Sequence, residues 1–83
     1  MKQEYRIDLK GVRSMRALHG RLDGKLPFPE GYGRNLDALY DFLTEYGAQM
    51  RIVFENAGTV PALFRRVCDD AMSDTPGLEV VFA

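Results

Sequence analysis

The sequence predicts an α/β protein in which a three-stranded parallel sheet is packed by about three helices. One observation is the apolar–polar alternation of the first ten residues. A second is a pair of short apolar runs, near residues 52 and 80, and a third is the helical periodicity of the segments between these strands. Strands separated by helices pair in parallel through right-handed crossovers. At 83 residues the chain is long enough for one core, so residues 1–83 are read as a single domain of modest stability. No internal repeat, linker or low-complexity segment interrupts it.

Tyr5, Ile7 and Leu9 alternate with Arg6 and Asp8, the pattern of a strand with one buried face. Ser14 is then placed to cap a helix whose Met15, Leu18 and Leu22 share a face, and Gly24 and Pro27 stop it. Asp23 to Arg34 reads as a loop, with three glycines and two prolines. Asn35 is a good N-cap for a second helix that Gly47 ends. Ile52, Val53 and Phe54 form the continuous apolar run expected of a strand buried on both faces, followed by a turn at Asn56, Ala57 and Gly58. Thr59 is expected to cap the last helix, to which Val60, Leu63, Phe64, Val67, Cys68 and Ala71 give a broad apolar face. Pro76 and Gly77 then punctuate before a final strand, Leu78 to Phe82.

Composition excludes several classes. With 46% hydrophobic and 28% charged residues the chain is an ordinary globular sequence, and no apolar run approaches the roughly 18 residues of a membrane span. The first residues, MKQEYRID, do not resemble a secretory signal, and the lone Cys68 can form no intrachain disulfide, which suits a reducing compartment. A cytoplasmic location follows as the expectation.

The formal net charge of -1 conceals a polarised chain. Residues 1–26 hold seven bases against three acids, whereas residues 27–50 hold Arg34 alone against Glu30, Asp37, Asp41 and Glu45, and residues 51–83 hold three bases against five acids. Such a middle segment would attract a basic partner and repel nucleic acid. The basic first third leaves RNA binding as a rival reading.

The second helix concentrates the anomaly. Around its axis Phe42, Leu39, Leu43, Leu36 and Tyr40 fill an arc of about 160°, while Asp37, Asp41 and Glu45 fill an adjoining arc of about 80°. Like charges four apart destabilise a helix by roughly 0.2–0.5 kcal/mol per pair, and only Asp37, in the first turn, is compensated by the helix dipole.

Catalytic chemistry is thinly supplied. His19, the only histidine, lies at the edge of the first helix's apolar face and reads as a packed side chain; Cys68 reads as a small buried hydrophobe. No Cys–His metal spacing is present, and G-Y-G-R-N fits neither phosphate-loop glycine pattern. Neither a cofactor nor a metal is expected, and no enzyme.

The run PEGYGRNLDALYDFL, Pro29 to Leu43, is similar to the binding loop and second helix of the barstar family, intracellular inhibitors of the ribonuclease barnase. GVRSMRALHGRL resembles that family's first helix, and the likeness covers nearly the whole chain; its most specific part is G-x-N-L-D-A-L-x-D, Gly33 to Asp41. The resemblance implies a three-stranded parallel sheet with helices and an inhibitor that plugs a ribonuclease active site. There, acidic side chains would take the positions of RNA phosphates, because a carboxylate satisfies a phosphate site's cations by charge-assisted hydrogen bonds.

Carried over residue by residue, Asp41 matches the family's deepest phosphate-mimicking aspartate and Asp37 a second acidic contact. Gly33, Asn35 and Tyr32 match loop positions facing the enzyme, Tyr40 stands where barstar has tryptophan, and Asp70 matches an acidic contact on the last helix, with Asp69 one residue away. Gly31 occupies the place of a family tyrosine, and the segment from Glu55 to Val60 is shorter than in barstar by roughly a short helix. The expected partner is therefore a basic, barnase-type guanyl-specific ribonuclease, bound one to one by a protein that is monomeric when free, without direct nucleic-acid or membrane contact. Rival readings are a barstar-like module for another basic protein and, weakly, an acyl-carrier-like domain, for which Asn35-Leu36-Asp37 lacks the serine to be modified.

Overall fold

Alternation at the start of the chain builds β1, Gln3–Asp8, whose Ile7 is buried while its even-numbered residues face out. Leu9 lies just past the strand's end but is fully buried, its N–H donating to the Glu55 carbonyl at 2.8 Å. The computed structural model, describing residues 2–83, continues through α1, Met15–Leu22, and α2, Leu36–Tyr46. A 3-10 turn, Gly47–Gln49, not anticipated from the sequence, leads into β2, Met50–Glu55; α3, Ala62–Asp74, and β3, Glu79–Phe82, complete the order.

The three strands form one parallel sheet in the order β1-β2-β3, with Tyr5 opposite Ile52 and Ile52 opposite Val80. Ile7, Ile52, Phe54 and Val80 on one face share a single core with Leu18 and Leu22 of α1, Leu39, Phe42 and Leu43 of α2, and Phe64, Cys68 and Ala71 of α3. Edge-to-face contacts of Phe64 with Phe54 and Phe82, at 5.1 and 5.9 Å between centroids, lock α3 onto the sheet.

β2 is buried on both faces as expected, with Ile52, Val53 and Phe54 all buried, while three other expectations need correction. The outer face of the sheet carries no helix layer. It carries charge: Arg6 pairs with Glu4 and Glu55, Arg51 with Glu4 and Glu79, and Lys2 with Glu79, at 2.7 to 3.4 Å. Val53 sits opposite Arg6 and Val81 in this charged lattice, which supplies the cover a second layer of helices normally gives a parallel sheet.

Thr59 does not cap α3. Pro61 precedes its first residue, where proline's missing N–H costs no helical bond, and the Thr59 hydroxyl instead donates to the Val12 carbonyl at 2.8 Å, tying two loops together. Leu63 is 61% exposed, because the buried line of α3 centres on Phe64, Cys68 and Ala71 and leaves Leu63 about 100° to one side. Leu78 is buried just before β3 rather than within it.

Candidate functional site

The helix N-cap expected next to the loop, Asn35, forms as the sequence demands. The Asn35 carboxamide oxygen accepts from Ala38 N–H at 2.8 Å and its nitrogen donates to the Gly33 carbonyl at 3.3 Å, so one side chain starts α2 and closes the end of the loop. Gly31 has φ +81°, a conformation that disfavours any side chain, and the space beside it is open. Gly33 is not in that region; a Cβ there would press on Asn35 Nδ2 at 3.3 Å and on the Ala38 Cβ at 3.4 Å.

Arg34 also adopts a positive φ, 51°, uncommon for a residue with a side chain. Its guanidinium folds back onto Asp23 at 2.8 Å, joining the loop to the end of α1. This ion pair was not foreseen from the sequence.

The Tyr32 ring turns into the protein. It stacks on Phe28 at 3.9 Å between centroids and lies 6.4 Å from both Phe42 and His19, while Phe28 meets Phe42 edge-on at 4.8 Å. Its hydroxyl is buried with no hydrogen-bond partner among the described residues, and burial, reinforced by the Asp23 charge, pushes its pKa up to about 12. His19 is only 8% exposed, and both ring nitrogens lack partners among the described residues. Burial lowers its pKa, opposed by Asp23 and aided by Arg34. Burial likewise raises the Cys68 thiol to about 12, with Asp69 adding to it, so the thiolate a nucleophile needs is scarce at neutral pH.

The acidic row is exposed as expected: Asp37, Asp41 and Glu45 stand on the outer side of α2 and Asp69, Asp70 and Asp74 on α3. None of the six forms an ion pair among the described residues. Neither helix has a basic residue in its last turn, where the dipole disfavours Glu45 and Asp74.

The half-buried Tyr40 brings the two helices' charges together. Its hydroxyl donates to Asp74, and this bond, followed by burial and the charges of Asp74, Asp70 and Asp41, raises the phenol's pKa. Asp41 and Asp70 thus add to the same rise although they lie on different helices, whereas Asp69 adds to that of Cys68. Asp74 was missed in the sequence. Its signal was there: Asp70 and Asp74 repeat at the end of α3 the four-residue acidic spacing of Asp37, Asp41 and Glu45.

Among the described residues no group of three or more His, Cys, Asp or Glu side chains could hold a metal ion, and no helix is long and apolar enough to cross a membrane. The surface can offer a partner a dense field of hydrogen-bond acceptors beside a loop fixed by an aromatic stack and an ion pair.

Residues 2–75 match the family described as Barstar (barnase inhibitor). The chain is also 53% identical over 38 residues to a putative ribonuclease inhibitor, YrdF, of Bacillus subtilis (strain 168), an overlap of 46% of this chain and 42% of that protein. The chain thus spans less than half the length of that curated relative.

Proposed function

From the premise that the chain belongs to the barstar family, we propose that it is an intracellular, non-catalytic inhibitor of a barnase-type guanyl-specific ribonuclease, bound one to one. The loop ending at Asn35 and the outer face of α2 plug the active site, and the carboxylates take the places of RNA phosphates. Asp41 is the central contact and Asp37 the second, Asp70 adds a contact from α3, and Tyr40 sits between the helices as the aromatic of the interface. Gly31, Tyr32, Gly33 and Asn35 shape and present the loop, with Glu45 peripheral.

The observation that carries the reading is the set of six exposed carboxylates on α2 and α3 that form no ion pair among the described residues. A buried cluster of arginine, lysine and histidine in a nuclease would supply the countercharges, turning self-repulsion in the free protein into attraction in the complex. The same field would also speed encounter with a basic enzyme at low ionic strength.

Titrating the protein against barnase-type ribonucleases, including any encoded beside its gene, while following RNA cleavage tests this. Stoichiometric loss of cleavage is expected. If none of these enzymes is inhibited, the reading fails and a different basic protein becomes the partner to seek by pull-down.

A further inference from the structure

Resting on the inhibitor reading, we infer that Asp74 is a positioning residue for the interface: by accepting the Tyr40 hydroxyl proton it leaves the phenol oxygen, beside Asp41 and Asp70, as an acceptor aimed at a cationic group of the partner. A phenol can donate or accept, and its rotor decides which face of that ambivalence a partner meets. An ionised carboxylate can only accept, so the bond to Asp74 consumes the single O–H of Tyr40.

What remains on the oxygen is lone pairs. Asp41 and Asp70, both exposed and both acting on that phenol, likewise offer only acceptors. The patch from three residues of two helices is then uniformly accepting, which matches a guanidinium or ammonium, groups that only donate, and rejects a carboxylate or a carbonyl-lined surface.

Because the bond already exists in the free protein, the orientation need not be acquired on binding. Tyr40 is half-buried and its ring is held against the core, so the hydroxyl is the one part of the side chain left to be oriented.

The role differs from simple steering by the Asp74 charge, and kinetics separate the two. A steering charge changes the association rate and is screened by salt, while a positioned contact changes the dissociation rate. With a barnase-type ribonuclease that the wild type inhibits, Tyr40→Phe and Asp74→Ala should each raise the dissociation rate about 10-fold, the usual order for a hydrogen bond to a charged group. The double variant should dissociate no faster than either. Asp74→Asn, whose amide oxygen still accepts from the phenol, should restore the dissociation rate while association stays slowed.

An Asp74→Ala effect on dissociation that is equal in Tyr40 and Phe backgrounds, or absent from both, overturns the inference while the inhibitor reading stands. If the wild type binds no such enzyme, both fall together. In the free protein, Asp74→Ala should bring the Tyr40 phenolate transition to lower pH in an ultraviolet titration; an unmoved transition overturns the contact whatever the partner.

Discussion

The outer face of the sheet and the outer faces of α2 and α3 are both exposed and both rich in charge, yet they are arranged in opposite ways. On the sheet, Lys2, Glu4, Arg6, Arg51, Glu55 and Glu79 alternate in sign across neighbouring strands and close five ion pairs. On the helices Asp37, Asp41, Glu45, Asp69, Asp70 and Asp74 form no ion pair among the described residues. The first surface neutralises itself and needs nothing from outside. The second is left with an unspent potential, and that difference separates a face that supports the fold from one suited to a partner.

The comparison breaks most sharply at Asp41. Asp41→Ala is expected to weaken ribonuclease inhibition by more than about 2 kcal/mol, the scale of a central charged hot spot, for which the barnase–barstar pair is itself the reference case. Its thermal unfolding should be unchanged or slightly later, because two like-charge spacings on α2 are relieved. An inhibition constant that does not move would reject the proposed orientation of the helix.

The sheet should answer in reverse. Arg51→Glu places a third carboxylate between Glu4 and Glu79 and should lower the unfolding temperature by about 4 °C, since like charges directly opposite on neighbouring strands cost a fraction of a kcal/mol each. Inhibition by the folded variant should be preserved. A loss of inhibition without a loss of stability would show that the two faces are not independent.

Acid separates the regions more gently. His19, behind the loop, has its folded-state pKa held below its ordinary 6.5 by burial, so the unfolded chain takes up the proton more readily. Its contribution is fully present above pH 6.5 and declines below it, with a slope that cannot exceed one proton, about 1.4 kcal/mol per pH unit. Glu4 and Asp8 on β1 are instead held below 4.5 and 3.8, chiefly by hydrogen bonds from Arg51 and Asn56 respectively. Their contribution is present above those values and is lost as pH falls through the lowered ones. Urea unfolding followed from pH 8 to 3 should therefore show two declines, and His19→Gln should remove only the first.

Much of the fold was legible because it rests on local rules. Ser14 and Asn35 cap their helices through the side-chain oxygens the sequence placed there, and alternation marked the buried face of β1. Readings that depended on what packs against an element fared worse. Thr59 looked like a cap because hydroxyls cap helices, but Val12 competed for it; Leu63 looked like core because it is apolar, but α3 rolls its Phe64–Cys68–Ala71 line onto the sheet. The spacing of Asp74 from Asp70 is visible in the sequence, but its bond to Tyr40 is not, because that partner lies 34 residues away on another helix, beyond the reach of any periodicity.

By itself, then, the sequence determined the order of strands and helices, the caps at Ser14 and Asn35, and the acidic row of α2 with its missing bases, since each follows from residues within one or two turns of one another. Tertiary structure alone decided which face of the sheet would stand open and be sealed by ion pairs, how Phe28, Tyr32 and His19 would anchor the loop, and that Tyr40 would meet Asp74 between two helices. Those outcomes depend on distances between segments remote in the chain, and packing sets such distances only after every local preference has been reconciled in one core.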